Sequence, residues 1–140
     1  YAVPRVVLHQ LRDRLTLDEP VDLGAQLPVM VRGLYFEGWR PNKVPRKIRS
    51  RQAFLDELAD ELLPHTYPVD WAVSAVFDLM AHHCDPGEID DVIGQLPDDL
   101  KDLWPATARD HHRQSSTQET LQKEPADDVQ RPQTPPHTRR

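Results

Sequence analysis

The sequence predicts an all-α fold: two tandem repeats of a three-helix unit packed as one helical domain, the first repeat lacking its first helix, with a disordered C-terminal tail. Three observations point there. Apolar residues recur at helical spacing in short runs, punctuated by prolines and capping residues. A string of residues near the start recurs in the same order after residue 71. All nine aromatic residues lie at or before Trp104, and beyond it apolar side chains are sparse.

The internal repeat is read first, because missing one misreads a whole fold. Ala2-Val3-Pro4-Arg5-Val6-Val7 is matched by Ala72-Val73-Ser74-Ala75-Val76-Phe77. After one gap, Glu19 and Asp22 align with Glu88 and Asp91, Gln26-Leu27-Pro28 with Gln95-Leu96-Pro97, and Leu34-Tyr35 with Leu103-Trp104.

The elements follow in order. Pro4 suits a first helical turn, and Val7, Leu8, Leu11 and Leu15 then form one apolar stripe. Thr16-Leu17-Asp18-Glu19 reads as a capping box, with Glu19 reaching back to the Thr16 amide. Asp85-Pro86-Gly87-Glu88 occupies the aligned place. Each copy continues with a short helix ending near Gln-Leu-Pro, and the proline opens another, about 28–36 and 97–104. Between the copies, Ser50 caps a helix whose buried face is Phe54, Leu55, Leu58, Ala59, Leu62 and Leu63, ending before Pro64. A further helix begins around Pro68.

The first copy has no counterpart of the Phe54–Leu63 helix, whose symmetric place would lie ahead of Tyr1. A truncated start, a misannotated gene start or a natural fragment accounts for this; the plainer alternative is that copy one never had the helix. Without it, Val6, Val7 or Leu11 would line an open apolar groove suited to a partner or to self-association. The expected core contacts between copies are Leu27, Leu34, Tyr35, Phe54, Leu58, Trp71, Val76, Phe77, Leu96, Leu100, Leu103 and Trp104.

The domain boundaries are residues 1–36, the incomplete first repeat; 37–49, a basic proline-containing linker; 50–105, the second repeat; and 106–140, a polar tail. The tail mixes Pro125, Pro132, Pro135 and Pro136 with Ser, Thr, Gln and charges, too little apolar surface to offset its ordering entropy. Residues 1–104 hold 11 Lys/Arg against 18 Asp/Glu and the tail 6 against 5, so the acidity behind the net charge of -6 lies in the folded part, which argues against nucleic-acid binding by the whole surface. The single cysteine, Cys84, allows no intrachain disulfide and fits a reducing cytoplasm. No apolar run reaches the ~20 residues of a membrane helix.

The string Arg32-Gly33-Leu34-Tyr35-Phe36-Glu37-Gly38-Trp39 after Gln26-Leu27-Pro28, with Glu88-Ile89-Asp90-Asp91 and Gln95-Leu96-Pro97 running to Leu103-Trp104-Pro105, resembles bacterial domain-of-unknown-function family 2267. The resemblance covers roughly residues 1–105. It implies a duplicated helical domain and carries no established activity. This chain differs in lacking the first helix and in its long polar tail.

Two surfaces are candidate sites. The turn Tyr35, Phe36, Glu37, Trp39 and Arg40 offers aromatics and an arginine of the kind that dominate binding hot spots; the alternative is that Phe36 and Trp39 plug the seam between copies. The linker cations Lys43, Arg46, Lys47, Arg49 and Arg51 could hold phosphate or an acidic surface, extended by Pro41 and Pro45; the alternative is pairing with acids on the following helix or on repeat two. His82-His83-Cys84-Asp85 lacks a second ligand pair at metal-site spacing, and histidines near a helix C-terminus suit its dipole. Asp90, Asp91, Asp98, Asp99 and Asp102 fit a solvated helix face better than a cation site. The sequence holds no Gly-rich phosphate loop and no nucleophile elbow.

The leading reading is therefore a non-catalytic, cytoplasmic protein-interaction module without metal or cofactor. A nucleic-acid or anion-binding regulator acting through the linker comes second, and a small-molecule enzyme last.

Overall fold

The computed structural model describes residues 2–16, 18–43, 46–47 and 50–123. Its helices are α1 (Ala2–Arg12), α2 (Asp18–Gln26), α3 (Val29–Phe36), α4 (Arg51–Glu61), α5 (Val69–His83), α6 (Pro86–Gly94), α7 (Asp98–Lys101) and α8 (Ala106–Lys123), with one 3-10 turn at Pro41–Lys43. The described residues contain no strand. Val7, Leu11, Leu15, Leu23, Tyr35, Leu58, Phe77, Val92, Ile93 and Trp104 meet in one core with almost no exposure.

Local chemistry accounts for the helix ends. The Ala53 amide donates to Ser50 Oγ at 3.1 Å, capping α4. The Gly87 amide donates to Asp85 Oδ2 at 3.1 Å, and Pro86 follows in the first turn of α6. Pro28, Pro68 and Pro97 precede α3, α5 and α7. Two arginines close helix C-termini, where orphan carbonyls and the negative dipole end attract cations. Arg12 Nη1 donates to the carbonyls of Tyr35 (2.7 Å) and Glu37 (2.9 Å) beyond α3. Arg32 donates to the carbonyls of Gly24, Ala25 and Leu27 at the end of α2. Gly38, at φ +69°, takes the left-handed turn after α3 that a side chain would resist.

Several expectations are corrected. The capping box at Thr16 does not form as anticipated: the Thr16 amide donates to Gln95 Oε1 at 2.9 Å, so Glu19 is not its acceptor. The helix expected over 97–104 shrinks to α7, because the chain turns at Asp102–Leu103 to drop Leu103 and Trp104 into the core. Trp104 stacks on Phe77 with centroids 4.2 Å apart. Trp71, expected in the core, is exposed, and Leu34 is half-buried. Val6, Val7 and Leu11 line no open groove; they are buried, because α3, α4 and α5 all pack on α1.

The tail also differs. Residues 106–123, expected to be disordered, form α8, which packs on α6. Pro105 stands just before its start, Ala108 leans on the core, and the His112 ring bonds to the Asp90 carboxylate. A proline start and a side-chain hydrogen bond substitute for an apolar face that the sequence lacks. Residues 124–140 lie outside the described residues.

Gly24 packs against the aromatic cluster after α3. A Cβ there would stand 2.4 Å from Phe36 Cζ and 2.6 Å from Cε2. The Phe36 ring is itself held between Tyr35 (centroids 4.8 Å) and Trp39 (5.4 Å). Gly24→Ala should therefore destabilise by about 1–3 kcal/mol through overpacking, despite alanine's better helix propensity. Urea unfolding of Gly24→Ala, Phe36→Leu and the double variant checks this: the double should be more stable than the sum of the singles implies.

Candidate functional site

The most unusual chemistry lies where α2 packs antiparallel on α6. Each helix is clamped to the other at both ends. At one end Gln95 receives the Thr16 amide and returns a bond from Nε2 to Thr16 Oγ1, both 2.9 Å. At the other, the Asp85 amide donates to Gln26 Oε1 at 3.3 Å. Between the clamps, Leu23 and Val92 are fully buried.

This packing turns two first-turn glutamates, Glu19 of α2 and Glu88 of α6, toward each other. Oxygens of Glu19, Glu88 and Asp91 all lie within 4.8 Å of one another. Glu19 is only 8% exposed. Its Oε1, and Oε1 of Glu88, reach neither solvent nor a hydrogen-bond partner. Burial first, then a hydrogen bond with Glu88 and its charge, then the charges of Asp91 and Asp22 push the Glu19 carboxyl up to about 8. A cleft of about 250 Å³ opens beside Glu19, walled by Asp91 and Gln95 of the α6 end and by His112 and Glu119 of α8. Tyr35 lies behind the acids, its OH donating to the Pro20 carbonyl at 2.7 Å, and burial raises its phenol well above the ordinary value.

The expected sites are placed as follows. Tyr35 is wholly buried and out of a partner's reach, while Phe36 and Trp39 are half-buried and meet at a tilt of 50°. Glu37 forms a bidentate pair with Arg5, at 2.8 and 3.1 Å, which holds its carboxyl below the usual range. Arg40 is exposed. The turn thus closes α1 onto α3 and presents little aromatic surface.

In the linker, Arg46 pairs with Glu57 of α4 (3.3 Å) and Arg51 with Asp102 after α7 (2.6 Å), while Lys43 and Lys47 are exposed. Arg49 lies outside the described residues. Glu57 also takes Arg14 at 2.8 Å. Burial lowers the Arg14 guanidinium, Glu57 opposes the shift, and the guanidinium sits 5.2 Å over the Phe54 ring. His82 and His83 point to solvent, Asp85 caps α6, and burial raises the Cys84 thiol.

Sequence reasoning missed the Glu19–Glu88–Asp91 cluster. The signal was present, since Glu19 and Glu88 occupy aligned places, but reading Glu19 as a cap removed it from consideration.

The raised Glu19 carboxyl has a stability signature. The folded state holds a proton that the unfolded chain releases near the ordinary glutamate value of about 4.5. Stability from this group is therefore complete below that value and is lost as pH rises toward about 8. In EDTA, the urea midpoint of the parent should fall between about pH 5 and 8, and Glu19→Gln should flatten that fall and exceed the parent at the alkaline end. A parallel decline in both proteins would refute it.

No curated protein matches the chain. The model of the family described as "Uncharacterized conserved protein (DUF2267)" matches residues 1–103. That span takes in both α2 and α6, and with it Glu19, Glu88 and Asp91; the chain belongs to the DUF2267 family.

Proposed function

We propose that the protein is a duplicated helical unit serving as a non-catalytic interaction module in the bacterial cytoplasm, and that it docks an amphipathic helix of a partner protein on the open face of α5. The observation that carries this is the exposure of Trp71 (66%) and Leu79 (58%), with half-buried Ala75 between them on one helix face. Trp is the residue type most enriched at interface hot spots.

Burial supports the duplication at a single spacing without the gap. Val7, Leu8, Leu11 and Leu15 correspond to Val76, Phe77, Met80 and Cys84, all buried. The same spacing relates Leu23 to Val92, Leu27 to Leu96 and Tyr35 to Trp104, again all buried.

It also places Gln10 opposite Leu79 and Arg14 opposite His83. Gln10 and Arg14 are buried beneath α4, bonded to Glu61 and Glu57, with Arg14 over Phe54. Leu79 and His83 have no such cover. The chemistry of α4, an apolar stripe flanked by glutamates, is what fits such a seat. On α5 the rim is His82, His83 and Asp78, so the partner helix should carry acids opposite the histidines.

The turn and linker, the surfaces anticipated from sequence, have less to offer. Tyr35 is buried, and Arg46 and Arg51 already have acidic partners.

A photo-crosslinking residue at position 75 tests the docking face. The expected product is a cross-link to a helical segment of one defined protein, resistant to nuclease and kept when Arg46 and Lys47 become Gln. Trp71→Asp with Leu79→Asp should weaken capture by about tenfold or more. No cross-link from position 75 would overturn the reading. Capture that needs Arg46 and Lys47 and disappears with nuclease would replace it with phosphate binding.

A further inference from the structure

The geometry points to a binding site for one hard divalent cation, of the Mg²⁺ or Mn²⁺ class, at Glu19, Glu88 and Asp91 in the seam of α2 and α6. It is separate from the α5 face and does not depend on the docking proposal.

Three observations carry it. The first is the donor set: three carboxylate oxygens mutually within 4.8 Å, from two helices fixed relative to each other by the Gln95 and Gln26 clamps. The second is an unpartnered acid. Glu19 is more than nine-tenths buried, its Oε1 has no hydrogen-bond partner, and one of its carboxylate oxygens lies within 4.8 Å of those of Glu88 and Asp91. Buried polar atoms are rarely left this way unless a ligand completes them. Glu88 Oε1 is in the same condition. The third is access: the cleft of about 250 Å³ beside Glu19 and Asp91 has room for the cation's remaining waters.

The charges acting on Glu19 come from Glu88, Asp91 and Asp22, all acids. A divalent cation would therefore supply the missing charge and satisfy the orphaned oxygens together. Oxygen-only donors select hard cations over zinc or copper. Three protein oxygens with waters completing an octahedron suit Mg²⁺ or Mn²⁺, whereas Ca²⁺ takes six to eight oxygens at longer distances. Binding is an exchange: the cation's bonds to the carboxylate oxygens replace the O–H bond of the proton that the two glutamates would otherwise share, and that proton passes to solvent.

Mn²⁺ titration of the full chain, following free Mn²⁺ by electron paramagnetic resonance, tests the site. The expected result is one saturable equivalent below about 1 mM, with Mg²⁺ competing. Glu88→Gln and Asp91→Asn should each weaken it by about tenfold or more. Glu19→Gln should abolish it while leaving the unfolding midpoint in EDTA at or above that of the parent, which separates a lost ligand from a lost fold. Absence of saturable binding, or binding unchanged in Glu19→Gln, would overturn the site and leave a proton-sharing carboxyl pair.

Discussion

The antiparallel pairing of α2 with α6 is the constraint on which the rest of the structure hangs. Both helices are nine residues long, too short to persist alone in water. Each owes its stability to the other through Leu23 and Val92 at the centre and a glutamine at either end. Once those contacts are made, α1 and α5 lead into α2 and α6, and α3 and α7 lead out, so the seam sets the position of six helices. It also fixes Glu19 and Glu88 face to face. First-turn glutamates usually face solvent and interact with the helix dipole; here the same positions fall at the interface of two helices, and water is excluded from one oxygen of each.

The remaining ends are secured by charge. Arg12 and Arg32 satisfy the carbonyls that end α3 and α2, and Arg14 joins α1 to α4 through Glu57. A buried guanidinium carries a desolvation cost, offset when its planar fork meets several acceptors at once. Arg12 and Arg32 meet that condition with backbone carbonyls and Arg14 with Gln10 and Glu57. Among the described residues, Arg12 and Arg14 are the buried arginines, and of the cations around the linker Arg46 and Arg51 pair with acids.

Periodicity and punctuation made the helices legible. The stripe Val7-Leu8-Leu11-Leu15, the Ser50 and Asp85 caps and the proline breaks each correspond to a feature of the fold. The helical rise of the tail was not legible, because α8 has no buried residue and owes its place to Ala108 and to His112 on Asp90. Such anchoring leaves no periodic mark. Trp71 misled for a different reason: burial was inferred from residue type, whereas exposure depends on whether a neighbouring helix exists to cover that face. The carboxylate cluster was half legible. Aligned glutamates signal a shared role, but a capping box and a buried acid pair look the same until the partner of the Thr16 amide is known.

The two surface features differ in what the chain lays over each helix. Both α1 and α5 pack on α4, but Gln10 and Arg14 of the first helix and its following turn are covered by it, while Leu79 of α5 is exposed. Beyond α3 and α7 the chain takes different courses: α3 leads through Trp39 to the linker, while the four-residue α7 leads to α8 over α6. On the α6 side, α8 walls in the acid cluster and gives it a polar cleft; on the α5 side nothing equivalent arrives, and Trp71 and Leu79 stay open. Neither outcome is what stability alone would select. An apolar pair in place of Glu19 and Glu88 would pack the seam without a desolvation cost, and polar residues in place of Trp71 and Leu79 would improve solubility. A buried Glu19 facing Glu88 and an exposed Trp71 on the same small domain are therefore the two features from which the proposals of a bound cation and a docked helix start.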